Sequence, residues 1–187
     1  AADWGYSSPA CCLWFAIDYD NNLWVYRELY TQKITAGIFA RKVLDLESGG
    51  YIRYGVLDAS TWARRGDIGP SIAETMIQAG CRWRPSDRTG RSRISGKLEI
   101  HKRLKIEDKE PGIRIFSNCR NLLRTFPTLP LDDSNPEDIN THVEDHAYDA
   151  LRYGCMSRPM HTSYANKAFG NSNRTANFVP SDKIFGY

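Results

Sequence analysis

Carboxylates with the spacing of a metal site occur near the end of the sequence. Asp145 and Asp149 lie four residues apart in the stretch THVEDHAYDALRYG (141–154), with His146 between them. Residues four apart on a helix project from the same face, and His146, three residues before Asp149, lies on a neighbouring part of that surface. The stretch therefore predicts one wall of a site that presents two carboxylates and an imidazole.

Two further aspartates lie where predicted strands end. Asp3 directly precedes WG, where a short strand runs into a loop, and Asp58 follows the apolar part of the β-rich run YGVLDAS. Carboxylates that cluster repel one another and need a cation, and their hard oxygens suit Mg²⁺ or Mn²⁺. Two such ions, about 4 Å apart, activate water and stabilise a leaving oxygen in phosphodiester hydrolysis. The acids therefore predict a site for Mg²⁺ or Mn²⁺, with two ions.

Each of these acids also has a structural interpretation, which the sequence leaves open. Asp3 fits a turn, and Asp58 fits the N-cap of the turn DAST that follows it. Asp145 fits the start of a helix, where a negative charge interacts favourably with the helix macrodipole. Asp149 is predicted in mid-helix among Ala147, Ala150 and Leu151, where a surface acid is common but an inward-facing acid needs a partner.

Hydrophobic patterning and turn residues predict the strands and helices that position these acids. Early hairpin strands followed by alternating strands and helices predict an α/β fold with a mixed sheet. The predicted strands are 10–20, 23–32, 51–60, 81–83 and 112–117, together with a short strand that ends at Asp3. The predicted helices are 34–47, 71–80 with a capping box from Ser71 and Glu74, 97–106, 118–129 and 143–156.

A concentrated basic segment precedes the last third of the chain. Residues 82–105 hold nine Lys or Arg and two acids, a local charge of +7 in a chain whose net charge is +3. Such a segment predicts a polyanionic partner, although a solvated charged face is the alternative. The candidates for contacts with a phosphate backbone are Arg88, Arg91, Arg93, Lys97 and Lys102.

Length and composition limit the class of protein. A chain of 187 residues with 41% hydrophobic and 25% charged residues predicts one globular domain. None of its apolar runs has the length of a membrane span or the pattern of a signal peptide, so no membrane partner is predicted. The first residues, AADWG, resemble the interior of a longer protein. Five cysteines without C-x-x-C spacing predict reduced thiols. Residues 159–187 are rich in Ser, Asn and Thr and are predicted to form a polar, flexible tail.

The order and spacing of DWG, LDAS and DHAYDALRYG resemble the nuclease domain of tailed-phage terminase large subunits, the DNA-packaging motors. The resemblance covers residues 1–158. It implies a ribonuclease H-like fold, a mixed sheet with helices on both faces, and a metal-dependent endonuclease that cuts concatemeric double-stranded DNA. It also implies that Asp3 bridges two metal ions, that Asp58 and Asp149 complete the two sites, and that His146 or Asp145 supplements the second.

The resemblance further implies partners that act in the host cytoplasm. These are double-stranded DNA and, in the full motor, an ATPase domain, a small terminase subunit and the portal. The glycine-rich stretch GRSRISGKL (90–98) is not an ATP site, because its spacing and its final Leu98 depart from the phosphate-loop pattern. Two alternatives remain at this stage: a junction resolvase or integrase-type nuclease of the same fold, and a non-catalytic module that docks on DNA or the capsid.

Overall fold

A six-stranded mixed sheet organises the chain, and the computed structural model describes residues 1–64, 69–106 and 110–160. The strands are β1 (Ala2–Asp3), β2 (Ala10–Ile17), β3 (Leu23–Thr31), β4 (Gly55–Leu57), β5 (Trp83–Pro85) and β6 (Ile113–Ile115). The helices are α1 (Ala36–Glu47), α2 (Ile72–Gln78), α3 (Ser92–Leu104), α4 (Arg120–Thr125) and α5 (His146–Ser157), with 3-10 turns at Ala59–Trp62 and Phe126–Thr128. Of the predicted tail, residues 161–187 lie outside the described residues.

The strand order β5-β4-β1-β2-β3-β6 combines an antiparallel centre with parallel flanks. Strands β1, β2 and β3 pair antiparallel, whereas β4 and β5 on one side and β6 on the other run parallel to their neighbours. The predicted hairpin between β2 and β3 is confirmed, and Asn21 in its turn adopts a φ of 64°. This left-handed conformation is one that asparagine tolerates.

Alternating side chains of β2 build two hydrophobic cores, one on each face of the sheet. Cys11 and Leu13 pack with α3, α4 and α5, whereas Cys12 and Trp14 pack with α1 and α2. Successive residues of a strand point to opposite faces, so a continuous apolar strand is the expected pattern for a sheet covered on both sides. The predicted mixed sheet with helices on both faces is therefore confirmed.

Local signals placed most helices correctly, and α3 is the main difference. The capping box at Ser71 and Glu74 is present. Helix α3 starts at Ser92, five residues before the predicted start at Lys97. Its first turns are rich in serine and glycine, which favour loops in isolation, but packing against α5 overrides that preference. The predicted strand 51–60 is confirmed only for the three residues of β4.

A glycine on helix α5 faces an aromatic ring of the sheet. A Cβ atom at Gly154 would come within 2.3 Å of the ring of Phe15 on β2. The absence of a side chain at Gly154 therefore allows the helix to pack directly on β2 and β1. This approach brings the first turn of α5 to the end of β1, where Asp3 lies.

Two predictions about chain class can be compared with the described residues. Among them, no helix has both the length and the apolar character needed to cross a bilayer. All five cysteines are buried, and their thiols are free. Burial raises the pKa of the Cys12 thiol to about 12, so this side chain packs as a small apolar group.

Candidate active site

Asp3 and Asp58 lie side by side at the carboxyl ends of parallel strands β1 and β4. Ala2 pairs with Leu57 in the ladder, and the backbone amide of Asp58 donates to the carbonyl of Ala2 at 3.1 Å. Parallel strands present their carboxyl ends at one edge of a sheet, which is where α/β folds place ligands. Asp58 also accepts a hydrogen bond from the backbone amide of Ser60 at 3.1 Å, so the predicted N-cap role is confirmed too.

Asp3 is a buried carboxyl group held by the first residue of α5. Its side chain is on the α5 face of the sheet, and its Oδ2 lies 2.9 Å from Nδ1 of His146. Burial raises the pKa of Asp3 to about 6, and repulsion from Asp149 and Asp58 contributes to that rise while the contact with His146 opposes it. Conversely, the hydrogen bond to Asp3 raises the pKa of His146. Asp3 thus experiences the charges of both other predicted catalytic acids.

Asp149 lies between two arginines, one on its own helix and one on α3. Arg152 Nε donates to Asp149 Oδ1 at 2.9 Å, and Arg93 Nη1 donates to Asp149 Oδ2 at 3.3 Å. Both carboxylate oxygens of Asp149 are therefore paired with a guanidinium. The sequence interpretation that an inward-facing acid at this position needs a partner is consistent with these contacts.

Arg93 contacts two more aspartates at the same place. Its Nε donates to Asp138 Oδ2 at 2.9 Å, and its Nη2 lies 3.9 Å from Asp145 Oδ2. Asp145 caps α5 by position, but its carboxylate makes no capping hydrogen bond. Burial and repulsion from Asp149 raise the pKa of Asp145 to about 6. Asp145 is thus more than a helix-start charge, because it belongs to the group of acids around Arg93.

We name the acids and the imidazole that meet here the acidic site, formed by Asp3, Asp58, Asp138, Asp145, His146 and Asp149. Its hard oxygen donors have the chemistry that Mg²⁺ and Mn²⁺ prefer. In the described part of the chain, however, no three His, Cys, Asp or Glu side chains form a group that could hold a metal ion. Arginine occupies both oxygens of Asp149 instead. The donor types fit a metal, but the arrangement of the side chains does not.

The basic candidates divide into two kinds. Arg88 and Arg91 are exposed at the start of α3, whereas Arg93 is paired with the acidic site. Lys97 donates to the carbonyl of Pro136 at 3.2 Å, and Lys102 donates to a backbone carbonyl near the end of α5. A cleft of about 280 Å³ beside Asp58 is lined by residues that include Arg88, Arg152, Ser60, Ser86 and Ser92. All five remain predictions as DNA contacts.

Sequence reasoning missed two residues of this region, Asp138 and Arg152. Arg152 could have been found, because it follows Asp149 by three residues, a spacing at which helix side chains meet. Asp138 carries no such signal. It is one of four acids in the loop 132–141, and its pairing with Arg93 joins residues 45 positions apart.

Comparison with known proteins adds evidence from structure only. No family model matches the sequence, and no curated protein matches it. Solved structures do match. The P22 large terminase nuclease domain superposes with a TM-score of 0.61 at 17% identity, covering 84% of this chain and 78% of that one. The large terminase nuclease domain of bacteriophage SPP1, solved with bound Mn, has a TM-score of 0.57 at 19% identity, covering 81% of each chain.

A third match is a longer protein. A large terminase from a thermophilic bacteriophage, solved in complex with ATP-gamma-S, gives a TM-score of 0.66 at 12% identity. It matches over 83% of this chain, which spans only 38% of that longer terminase. The mixed sheet and its flanking helices are those of large terminase nuclease domains, a ribonuclease H-like fold, as the sequence resemblance predicted.

Proposed function

We propose that this chain is a metal-dependent endonuclease that cuts concatemeric double-stranded phage DNA during genome packaging. The observation that carries the proposal is the convergence of three acids from distant parts of the sequence. Asp3 and Asp58 lie at adjacent strand ends, and α5 brings Asp149 close enough to raise the pKa of Asp3 by repulsion. This convergence occurs within a fold shared with large terminase nuclease domains.

The proposed roles follow from chemistry and position. Asp3, Asp58 and Asp149 are proposed as the carboxylates that would hold two Mg²⁺ or Mn²⁺ ions, after a rearrangement that frees Asp149 from Arg93 and Arg152. The metal would supply an activated water and stabilise the leaving oxygen. His146 is proposed to orient Asp3 through the contact between its Nδ1 and Asp3 Oδ2, because carboxylates that ligate metals are themselves held by hydrogen bonds from neighbouring groups. Asp145, buried beside Asp149, is assigned to supplement the site.

DNA contacts are assigned first to Arg88 and Arg91. Both residues are exposed, and Arg88 lines the cleft beside Asp58. Contacts to phosphate give affinity without reading sequence. Lys97 and Lys102, which are partly buried on α3, are proposed to extend this surface away from the acidic site. The exposed acid nearest to Arg88 in the sequence, Asp87, accepts from the backbone amide of Thr89 at 2.9 Å.

The wider context is proposed on the same basis. The longer terminase, of which this chain spans 38%, was solved in complex with ATP-gamma-S. We therefore propose that the domain works beside an ATPase domain, with a small terminase subunit and the portal as further partners, in the host cytoplasm.

Plasmid cleavage in Mn²⁺ or Mg²⁺ tests the proposal. We expect the wild type to nick and linearise plasmid, and Asp58→Asn and Asp149→Asn to lose at least about 100-fold in rate, because each removes a ligand charge. Asp87→Asn is the matched control, since it lines the same cleft but is bonded to Thr89, and it should cleave like the wild type.

Three results would contradict the proposal. Cleavage by Asp58→Asn at the wild-type rate would show that the Asp58 carboxylate is not required for catalysis. A strong preference for four-way junctions over linear duplex would favour a resolvase of the same fold. Tight DNA binding without cleavage in any metal would favour a docking module.

A further inference from the structure

A groove runs into the sheet at the end of β1 that is remote from Asp3. Strand β1 lies between β2 and β4 but has two residues, whereas β2 has eight. The amide of Leu13 donates to the carbonyl of Ala1 at 2.8 Å, which extends the β1–β2 pairing by one residue. From there to the β2–β3 turn, no strand of the described residues lies between β2 and the segment that leads into β4. We name this opening the strand groove, and residues 12–18 and 51–56 form its two long walls.

Backbone groups of β2 point into the strand groove. The N–H and C=O of one strand residue point to the same side, and that side alternates along the strand. Leu13 bonds towards β1, whereas the Asp18 amide donates to the carbonyl of Asn22 at 3.2 Å, on the side of β3. The extra residue of the β-bulge lies on β3, so the alternation along β2 is not interrupted. Phe15 and Ile17 therefore present their N–H and C=O groups to the groove.

The opposite wall presents backbone in the same way. The amide of Gly55 donates to the carbonyl of Arg82 at 2.9 Å, on the β5 side of β4. The carbonyl of Leu57 accepts from the amide of Ser86 at 2.9 Å on that same side. Val56, between them, therefore faces β1 and the groove. The strand groove has a volume of about 590 Å³, within the range of ligand pockets.

Both faces of the strand groove are apolar. Phe15 packs with the core on the α5 face of the sheet, and its ring lies against Gly154. Trp14, Ile52 and Trp83 pack with the core on the α1 face. All five residues line the groove. A strand that is covered on both faces is a continuous apolar run, so the occupant that fits here is apolar at consecutive positions.

We propose that the strand groove binds a short, extended and apolar segment of a partner polypeptide, which joins the sheet in line with β1. The segment lies antiparallel to β2 and parallel to β4. It pairs with the backbone groups of Phe15 and Ile17 and with the amide of Val56. In this mode of recognition, main-chain hydrogen bonds supply affinity and the side-chain pockets supply specificity.

The inference goes beyond the proposed function and does not rest on it. Asp3 and Asp58 lie at the carboxyl ends of β1 and β4, whereas the strand groove lies at the opposite ends of these strands. A protein without nuclease activity would keep the groove, and a nuclease without a peptide partner would keep its acids. Failure of one proposal therefore leaves the other standing.

Backbone amide ¹⁵N–¹H spectra with a probe peptide test the strand groove. The probe is a capped heptapeptide of five alternating valines and isoleucines between two lysines, which keep it soluble. We expect saturable shifts of the Phe15, Ile17 and Val56 amides, while the amide of Leu98, on the exposed side of α3, stays fixed. A control peptide with proline at its centre lacks a backbone donor and should bind at least about tenfold more weakly.

Ile17→Pro tests the same contact from the side of the protein. Ile17 is the last residue of β2 and its amide faces the groove, so proline there removes no hydrogen bond to β3. We expect the probe to bind about tenfold more weakly, which is the loss of about one hydrogen bond. Ile17→Val keeps the amide, and its affinity should stay within about twofold of the wild type.

Four results would overturn the inference. These are absence of saturable shifts, shifts that leave the Phe15 and Ile17 amides unchanged, equal binding of the proline peptide and the parent probe, and unchanged affinity in Ile17→Pro. Shifts of the same amides that appear on raising the protein concentration without peptide would assign the groove to a second copy of this chain instead. If Ile17→Pro does not fold, the comparison of the two peptides on the wild type decides.

Discussion

Two arginines on helix α3, ten residues apart, show how differently one fold can use the same side chain. Arg103 is fully buried, and its Nε donates to Glu99 at 3.0 Å. Its terminal nitrogens donate to the backbone carbonyls of Asn21 and Gly112 at 3.1 and 3.2 Å and to that of Arg158. Arg93 is partly exposed, contacts three acids and has a buried nitrogen without a hydrogen bond among the described residues.

The clusters around Arg103 and Arg93 differ in the balance between positive and negative side-chain charges. Arg103 faces one carboxylate, that of Glu99, and neutral carbonyls, so its cluster has no net charge and most of its donors are used. Such an arrangement holds distant segments of the chain together and leaves few polar groups available to a ligand. The cluster around Arg93 has a surplus of negative charge, and repulsion between its carboxylates costs free energy in the fold.

The largest expected effect comes from removing the structural anchor. Arg103→Met should lower the free energy of unfolding by about 3–5 kcal/mol, because it leaves the buried carboxylate of Glu99 without its guanidinium partner and takes a donor from the backbone carbonyls of Asn21 and Arg158. Urea denaturation measures the change, with Arg91→Gln as the exposed control on the same segment. A loss below about 1 kcal/mol would mean that the buried pair is not what anchors α3.

Two acid-to-amide substitutions, one in each cluster, should change the free energy of unfolding in opposite directions. Glu99→Gln removes the partner of Arg103 and should destabilise the fold. Asp145→Asn removes one surplus charge, and at a pH of about 7.5 it should raise the free energy of unfolding by about 1–2 kcal/mol, since solvent screens part of the repulsion. Thermal denaturation in the presence of a metal chelator measures the stability of both variants. A loss of stability in Asp145→Asn would contradict the claim that the cluster around Arg93 has surplus negative charge.

The pH dependence of this gain follows from the raised pKa of Asp145, about 6 in the folded protein against a usual value of 3.8. Between these values the folded state binds more protons than the unfolded state, so the free energy of unfolding rises as the pH falls. The advantage of Asp145→Asn should therefore be full above a pH of about 6 and should disappear towards a pH of about 4. Asp3 titrates in both the wild type and Asp145→Asn, so its contribution cancels in the difference between their free energies of unfolding.

The sequence predicted the parts of the site that local patterns determine. Asp3 and Asp58 follow from strand ends, and Asp149 from its place in a helix that had to pack inwards. The mixed sheet followed from the order of elements and, with its flanking helices, from the family resemblance. These signals are local, because strand alternation and helix periodicity are expressed within a few residues.

Contacts that depend on packing could not be predicted in this way. Asp138 is indistinguishable in sequence from the acids around it, and only the folded loop brings it to Arg93. The early start of α3 was missed because its serines and Gly96 favour a loop. That same glycine is required in the helix, since a side chain there would collide with Arg152. The residue that weakened the helix prediction is thus one that positions the site.

The smallest expected effect on stability concerns an arginine that belongs to neither cluster. Arg88 is exposed in the cleft beside Asp58, and no ion pair holds it among the described residues. Arg88→Gln should change the free energy of unfolding by less than about 0.5 kcal/mol. If Arg88 contacts a phosphate, the variant should bind duplex DNA more weakly at all sequences, and the slope of log affinity against log salt should fall by about one.

Fluorescence anisotropy over a salt series, without divalent metal, measures that slope. Arg120→Gln is the control, because Arg120 is exposed at the start of α4, outside the basic segment, and its slope should equal that of the wild type. Equal slopes for Arg88→Gln and the wild type would show that the charge of residues 82–105 is a solvated face at this position. A reduced slope at Arg88 with unchanged stability would identify a use of arginine that differs from those of Arg103 and Arg93: contact with a ligand outside the fold.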